Sequence, residues 1–156
     1  SNFEIALLGR SSKTVNYYAT KYIDTSGNSI YKEQTHFFDE HEIRHLSMTT
    51  LDILTKKRNI KNIDFIKIDA QGSEGDILFG GKNTISQAEF VLLETQIIEY
   101  NIGAPKTLDI INIMKKMQFQ LFDIYQLHYL PSGELAQVDL LFAKKTSSFI
   151  KHGTLI

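Results

Sequence analysis

Apolar residues along the chain fall into short runs separated by polar turns, and the spacing within the runs predicts alternating strands and helices. Phe3–Leu8 is largely apolar and ends at Gly9, which predicts a short buried strand. Thr14–Thr20 is rich in β-branched and aromatic residues and predicts a second strand. Asp24–Ser29 reads as a loop, Tyr31–Glu42 has no clean period, and Ile43–Met48 alternates weakly, as a strand does. Thr49 is placed to cap a short helix reaching Lys57, with Asp52 near the positive end of its dipole.

The middle of the chain carries the strongest pattern. Ile63-Asp-Phe-Ile-Lys-Ile68 is so nearly apolar that it predicts a strand covered on both faces, the mark of a parallel sheet. Asp69–Gly72 is a turn. Ser73 then caps a helix with Glu74 and Asp76 in its first turn, and Gly80-Gly81 stops it. Phe90–Leu93 is a second buried strand, ended by Glu94. Thr107 caps an amphipathic helix with Ile110, Ile113, Met114 and Met117 on one face. Phe119–Tyr129 and Leu135–Lys144 are strands joined by the turn Leu-Pro-Ser-Gly-Glu. This order predicts one α/β domain over residues 1–156, with a mostly parallel sheet, right-handed crossovers and a carboxyl-terminal antiparallel hairpin. The tail from Thr146 is expected to be loosely held.

Composition narrows the classes. A hydrophobic fraction of 42% and a charged fraction of 22% suit an ordered core. A net charge of −1, with both signs interspersed, gives no footprint for nucleic acid or anionic lipid. Without cysteine there are no disulfides, thiolate metal sites or thiol nucleophile. No apolar run approaches the ~20 residues of a membrane span, and Ser1–Thr20 lacks a signal-peptide pattern. The expectation is a soluble cytoplasmic protein whose partner is a small molecule.

Several segments then act together. Ala6-Leu-Leu-Gly9 is followed by Thr14-Val-Asn-Tyr-Tyr18, Gly27-Asn-Ser-Ile30, Thr50-Leu-Asp52 and Ile63-Asp-Phe-Ile-Lys-Ile-Asp-Ala-Gln-Gly-Ser-Glu74. In order and spacing these resemble FkbM-type methyltransferases, and the closing strand, helix and hairpin suit that family too. Where the family usually has Val-Glu, this chain has Ala70-Gln71, so position 71 lacks a carboxylate. The resemblance implies a Rossmann-like fold of seven strands. It also implies transfer of a methyl group from S-adenosylmethionine to a hydroxyl of a sugar or other small metabolite. The family's first two strands carry an Asp-Val-Gly-Ala-Asn-like loop and an acidic ribose partner, neither of which is found in this sequence. The chain is therefore expected to start at the third strand, as a partial Rossmann-like fold. By itself it is expected to bind the cofactor with a dissociation constant above roughly 1 mM.

The candidate chemistry sits at strand ends, because ligands in open parallel sheets bind beyond the carboxyl ends of the strands. Asp69 and Glu94 end neighbouring strands, ~4.8 Å apart, and Glu74 follows the same turn as Asp69. These three are the candidate catalytic residues. Asp69 suits a base for the acceptor hydroxyl, or the ligand of a divalent cation that acidifies it. Gln71 and Gln96 are candidates for substrate hydroxyls. On the resemblance, Ala6 and Leu7 are candidates for an apolar adenine wall, with Asp69 also on the cofactor side. Tyr17, Tyr18, Tyr22 and Tyr31 offer either an acceptor wall or ordinary packing. Two rival readings stand beside methyl transfer. One is a non-catalytic module that keeps the fold. The other is a zinc hydrolase built on His41-Glu42-Ile-Arg-His45, which matches the His-Glu-x-x-His pattern. The flanking residues give that stretch no helical face, and it is expected in or beside a strand.

Overall fold

A computed structural model provides the fold and describes residues 3–21, 27–34 and 38–150. In chain order the elements are β1 (Leu7–Leu8), β2 (Lys13–Thr20), β3 (His41–Thr49), α1 (Leu51–Lys57), β4 (Phe65–Ile68) and α2 (Glu74–Gly80). There follow α3 (Lys82–Ile85), β5 (Phe90–Gln96), α4 (Thr107–Lys116), β6 (Phe119–Tyr129) and β7 (Leu135–Lys144).

The strands form two mixed sheets, ordered β1-β3-β2 and β4-β5-β7-β6. Only the β1–β3 and β4–β5 pairs are parallel; β2–β3, β5–β7 and β6–β7 are antiparallel. The expected α/β class and carboxyl-terminal hairpin are present, but the expectation of a mostly parallel sheet is not met. Apolar runs in β4 and β5 do pair in parallel, yet β7 lies against β5 in the opposite sense, through the hairpin that orders it.

One face of the larger sheet carries the core. Ile68, Val91, Leu93, Val138, Leu140 and Phe142 pack there against Ile77 and Leu78 of α2, Ile85 of α3 and Ile110 and Met114 of α4. The predicted stripe of α4 is the buried one, with Ile113 and Met117 at its margin. The other face of β4 is open: Phe65 is 53% exposed and Lys67 is exposed. The expectation of a doubly covered β4 is therefore corrected to a strand covered on one side.

Local boundaries also shift. Phe3 and Ile5 are 86% and 91% exposed, and only Leu7–Leu8 forms the first strand. Thr50, not Thr49, caps α1, accepting from the Ile53 amide at 3.2 Å. Thr107 is the first residue of α4 rather than its cap, and its hydroxyl donates to the Gln96 carbonyl at 2.9 Å. The glycine pair ends α2, but α3 follows at once. The two sheets meet where α2 passes β1. A methyl group on Gly80 would come within 2.0 Å of the Gly9 carbonyl oxygen, so only glycine permits that approach. No helix among the described residues is long and apolar enough to cross a membrane. The expectation for the tail concerns mainly residues 151–156, which lie outside the described residues.

Candidate functional site

The parallel register sets Ile68 beside Leu93, so Asp69, the next residue, follows β4 alongside Glu94. Strand β5 continues to Gln96, which places Glu94 inside the strand rather than at its end, as the sequence had suggested. Between the two carboxylates lies Gln71. Its side-chain amide donates to Asp69 Oδ1 at 3.2 Å and to Glu94 Oε1 at 3.1 Å. A carboxamide satisfies both acceptors, whereas a glutamate there would add a third negative charge. Gln71 reaches this position with φ at 51°, a left-handed conformation that non-glycine residues adopt at a cost. Lys67 Nζ holds the other oxygen of Asp69 at 3.0 Å.

On the same sheet face the antiparallel register sets Asp139 of β7 directly opposite Glu94, with Gln137 and His128 paired beside them. Gln137 donates its amide to Glu94 Oε1 at 2.8 Å. Burial pushes the Glu94 carboxyl above its ordinary range, and the charges of Asp69 and Asp139 add to the effect; His128 and the Gln71 hydrogen bond oppose it. A carboxylate so placed is a stronger proton acceptor than one in water. His128, Gln137 and Asp139 were missed in the sequence. The available signal was the alternation Gln137-Val-Asp139-Leu, polar on one side of a strand whose other side is core.

Glu74 and Gln96 are buried, each 4% exposed. The Glu74 carboxylate accepts from the Ala70 amide at 2.8 Å and so braces the turn that carries Asp69 and Gln71. Burial raises its pKa to about 7, against the lowering effect of backbone amides, including those of Glu74 and Ala70. Gln96 takes the amides of Tyr100 and Asn101 on its oxygen and donates to the carbonyls of Ala104 and Asn101. Its amide is thus occupied by the loop before α4, which leaves it no free donor for a substrate hydroxyl.

Asp69 also closes a second feature, a cleft of about 360 Å³ between the two sheets. Ala6, Leu7 and Leu8 line one side and Ile66, Lys67, Ile68 and Asp69 the other, with Tyr17 and Asn28 among the further walls. β1 and β4 are each an edge strand of their sheet. The structure thus brings Ala6, Leu7 and Asp69 to one cavity, and Asp69, Gln71 and Glu94 to one hydrogen-bonded cluster, with Asp69 common to both.

His41 and His45 belong to β3 and pair with Thr20 and Asn16. Four residues along a strand separate them by ~13 Å, too far to share one ion. His41 instead bonds the Phe38 carbonyl at 2.8 Å and lies against the Tyr18 ring. Tyr17 lines the cleft. Tyr18 and Tyr31 line another, more open cavity beside Arg10 and Asp76, where the Tyr31 hydroxyl donates to Asp76 at 2.8 Å. Tyr22 lies outside the described residues.

No curated protein and no solved structure shows significant similarity to this chain. The profile of the methyltransferase FkbM domain does match, over residues 4–121, a span that holds the cleft and Asp69, Glu74 and Glu94. The chain belongs to the FkbM methyltransferase domain family.

Proposed function

We propose that this domain transfers a methyl group from S-adenosylmethionine to a hydroxyl of a sugar or other small metabolite, with the reaction centred on Asp69 and Glu94. The observation that supports the reading most is the junction at Asp69, where a partly apolar cleft meets a hydrogen-bonded carboxylate cluster. The cleft has the size and mixed lining of a small-molecule site. Ala6, Leu7 and Tyr17 suit the flat apolar face of an adenine, and Asn28, Ser29 and Asp69 offer polar partners for a ribose.

S-adenosylmethionine, when bound, supplies an electrophilic methyl on a sulfonium that is already a good leaving group. What remains for the protein is to align the acceptor oxygen and remove its proton. Asp69, partly exposed at the cleft mouth, accepts a hydrogen bond from the acceptor hydroxyl. Glu94, with its pKa raised by burial, is suited to take the proton. Gln71 holds the two carboxylates in a fixed relation. Glu74 serves as a positioning residue, through the turn it braces.

Calorimetry with S-adenosylhomocysteine on the full natural protein tests the cofactor side. Replacing Leu7 by Glu puts a charge into the cleft wall and is expected to weaken binding at least 10-fold. Unchanged affinity in a folded Leu7→Glu protein removes the cleft from the proposal.

A further inference from the structure

We infer that Glu94, His128 and Asp139 form a three-ligand site for a divalent transition-metal ion, zinc by donor set. One ligand atom from each of the three lies within 4.8 Å of the others. They come from β5, β6 and β7, adjacent strands whose register fixes them side by side. One imidazole and two carboxylates are a donor set for zinc and its neighbours in the first transition row, not for an alkaline-earth ion held by oxygen alone.

A second observation comes from Asp139. It is 7% exposed, and among the described residues its side chain has a single hydrogen-bond partner, the His128 ring. That contact, Nε2 to Oδ1, is 3.4 Å. Such a separation is long for an N–H···O bond. It is the distance two ligands take on a tetrahedral ion with bonds of about 2.1 Å, which works out at about 3.4 Å. A carboxylate this buried, with one imidazole as its only hydrogen-bond partner among the described residues, is suited to a cation. Lys67, whose charge Asp139 also feels, is bonded to Asp69 instead.

Glu94 is prepared in the same sense. Both amides that reach it, from Gln71 and Gln137, donate to Oε1, and among the described residues Oε2 has no hydrogen-bond partner. The two glutamines therefore orient the carboxylate and leave one oxygen for the ion, as outer partners do around bound metals. Three protein ligands would leave a fourth position of a tetrahedral ion open. Binding of the ion stands on this geometry alone. Its use rests on the methyl-transfer reading: at the open position an acceptor hydroxyl would lose its proton at lower pH, to Asp69 in the metal-loaded protein, because the ion would then occupy Glu94.

The test is titration of zinc alone into the chelator-stripped full natural protein by calorimetry, with S-adenosylhomocysteine titrated into the same samples. One zinc per chain is expected, with micromolar or tighter affinity. His128→Gln and Asp139→Asn should each weaken it at least 10-fold with melting temperature measured in parallel; the half-buried His128 variant stands if the buried Asp139 variant does not fold. His45→Ala should bind zinc as the parent does. A dissociation constant above roughly 1 mM for the parent overturns the site. So does unchanged affinity in His128→Gln, or loss of binding in His45→Ala. Zinc binding without S-adenosylhomocysteine binding leaves this site standing and removes the methyl-transfer reading; the converse result removes only the metal site.

Discussion

Two consecutive residues in the turn after β4 hold positive φ, Gln71 at 51° and Gly72 at 92°. Glycine takes such a conformation freely, while glutamine carries a cost of about 1 kcal/mol. Gln71 is held there by its bonds to Asp69 and Glu94. Gln71→Gly is expected to leave stability unchanged or raise it by up to about 1 kcal/mol in urea unfolding, while methyl transfer falls by roughly 10-fold. A loss of stability with full turnover would make the bridge structural. Glu74 gives a pH test. Its folded pKa of about 7 lies above the value of 4.5 for an unperturbed glutamate, so the folded protein binds the proton more tightly than the unfolded chain. The contribution is fully present below pH 4.5 and is lost as pH rises through 7, amounting to about 3 kcal/mol across that window. Glu74→Gln keeps an acceptor for the Ala70 amide and should flatten the fall in melting temperature between pH 5 and 8. Identical slopes in the two proteins would contradict the buried, raised carboxyl. Asp69 was legible in the sequence because it is the first polar residue after an apolar run. The different fates of Glu74 and Gln96 were not, since a buried carboxyl or amide looks the same in sequence as a solvated one until the loop that surrounds it is known.

Elements were readable wherever one period ran long enough. The α4 stripe and the two hairpin strands emerged close to their observed bounds, because a helix buried along one face and a long β-hairpin impose their periods strongly. β1 was overread: Phe3 and Ile5 are apolar yet exposed, so the run carried no strand beyond Leu8. The His-Glu-x-x-His match failed at this scale too, since the same spacing that clusters two histidines on a helix spreads them along β3. The close passage of α2 over β1 depends on Gly80, whose added methyl would meet the Gly9 carbonyl. Gly80→Ala is expected to cost 2 kcal/mol or more, on the order of other overpacked sites, and to displace β1 from the cleft. A melting temperature within a degree or two of the parent would show that the contact yields cheaply. Met114, fully buried between α4 and the sheet, offers a control: Met114→Ala should cost about 2–5 kcal/mol without touching the cleft.

For the whole molecule, local pattern foretold an α/β chain but not the division into two mixed sheets. Pairing sense depends on which strands meet, and a run such as Val91–Leu93 reads alike beside a parallel or an antiparallel neighbour. That division matters, because it creates the cleft between β1 and β4 and leaves a polar patch on the open face of the larger sheet. Asp69 stands where the two join. The decisive measurement is therefore the rate of methyl transfer from labelled S-adenosylmethionine by the full natural protein and its Asp69→Asn variant, with melting temperatures taken alongside. Asparagine keeps the size and most of the hydrogen bonding of Asp69 and removes its charge. A fall of ~10²-fold or more at nearly unchanged melting temperature is predicted, in line with the loss of general-base or charge assistance. Equal turnover in two equally folded proteins would contradict a reaction centred on Asp69.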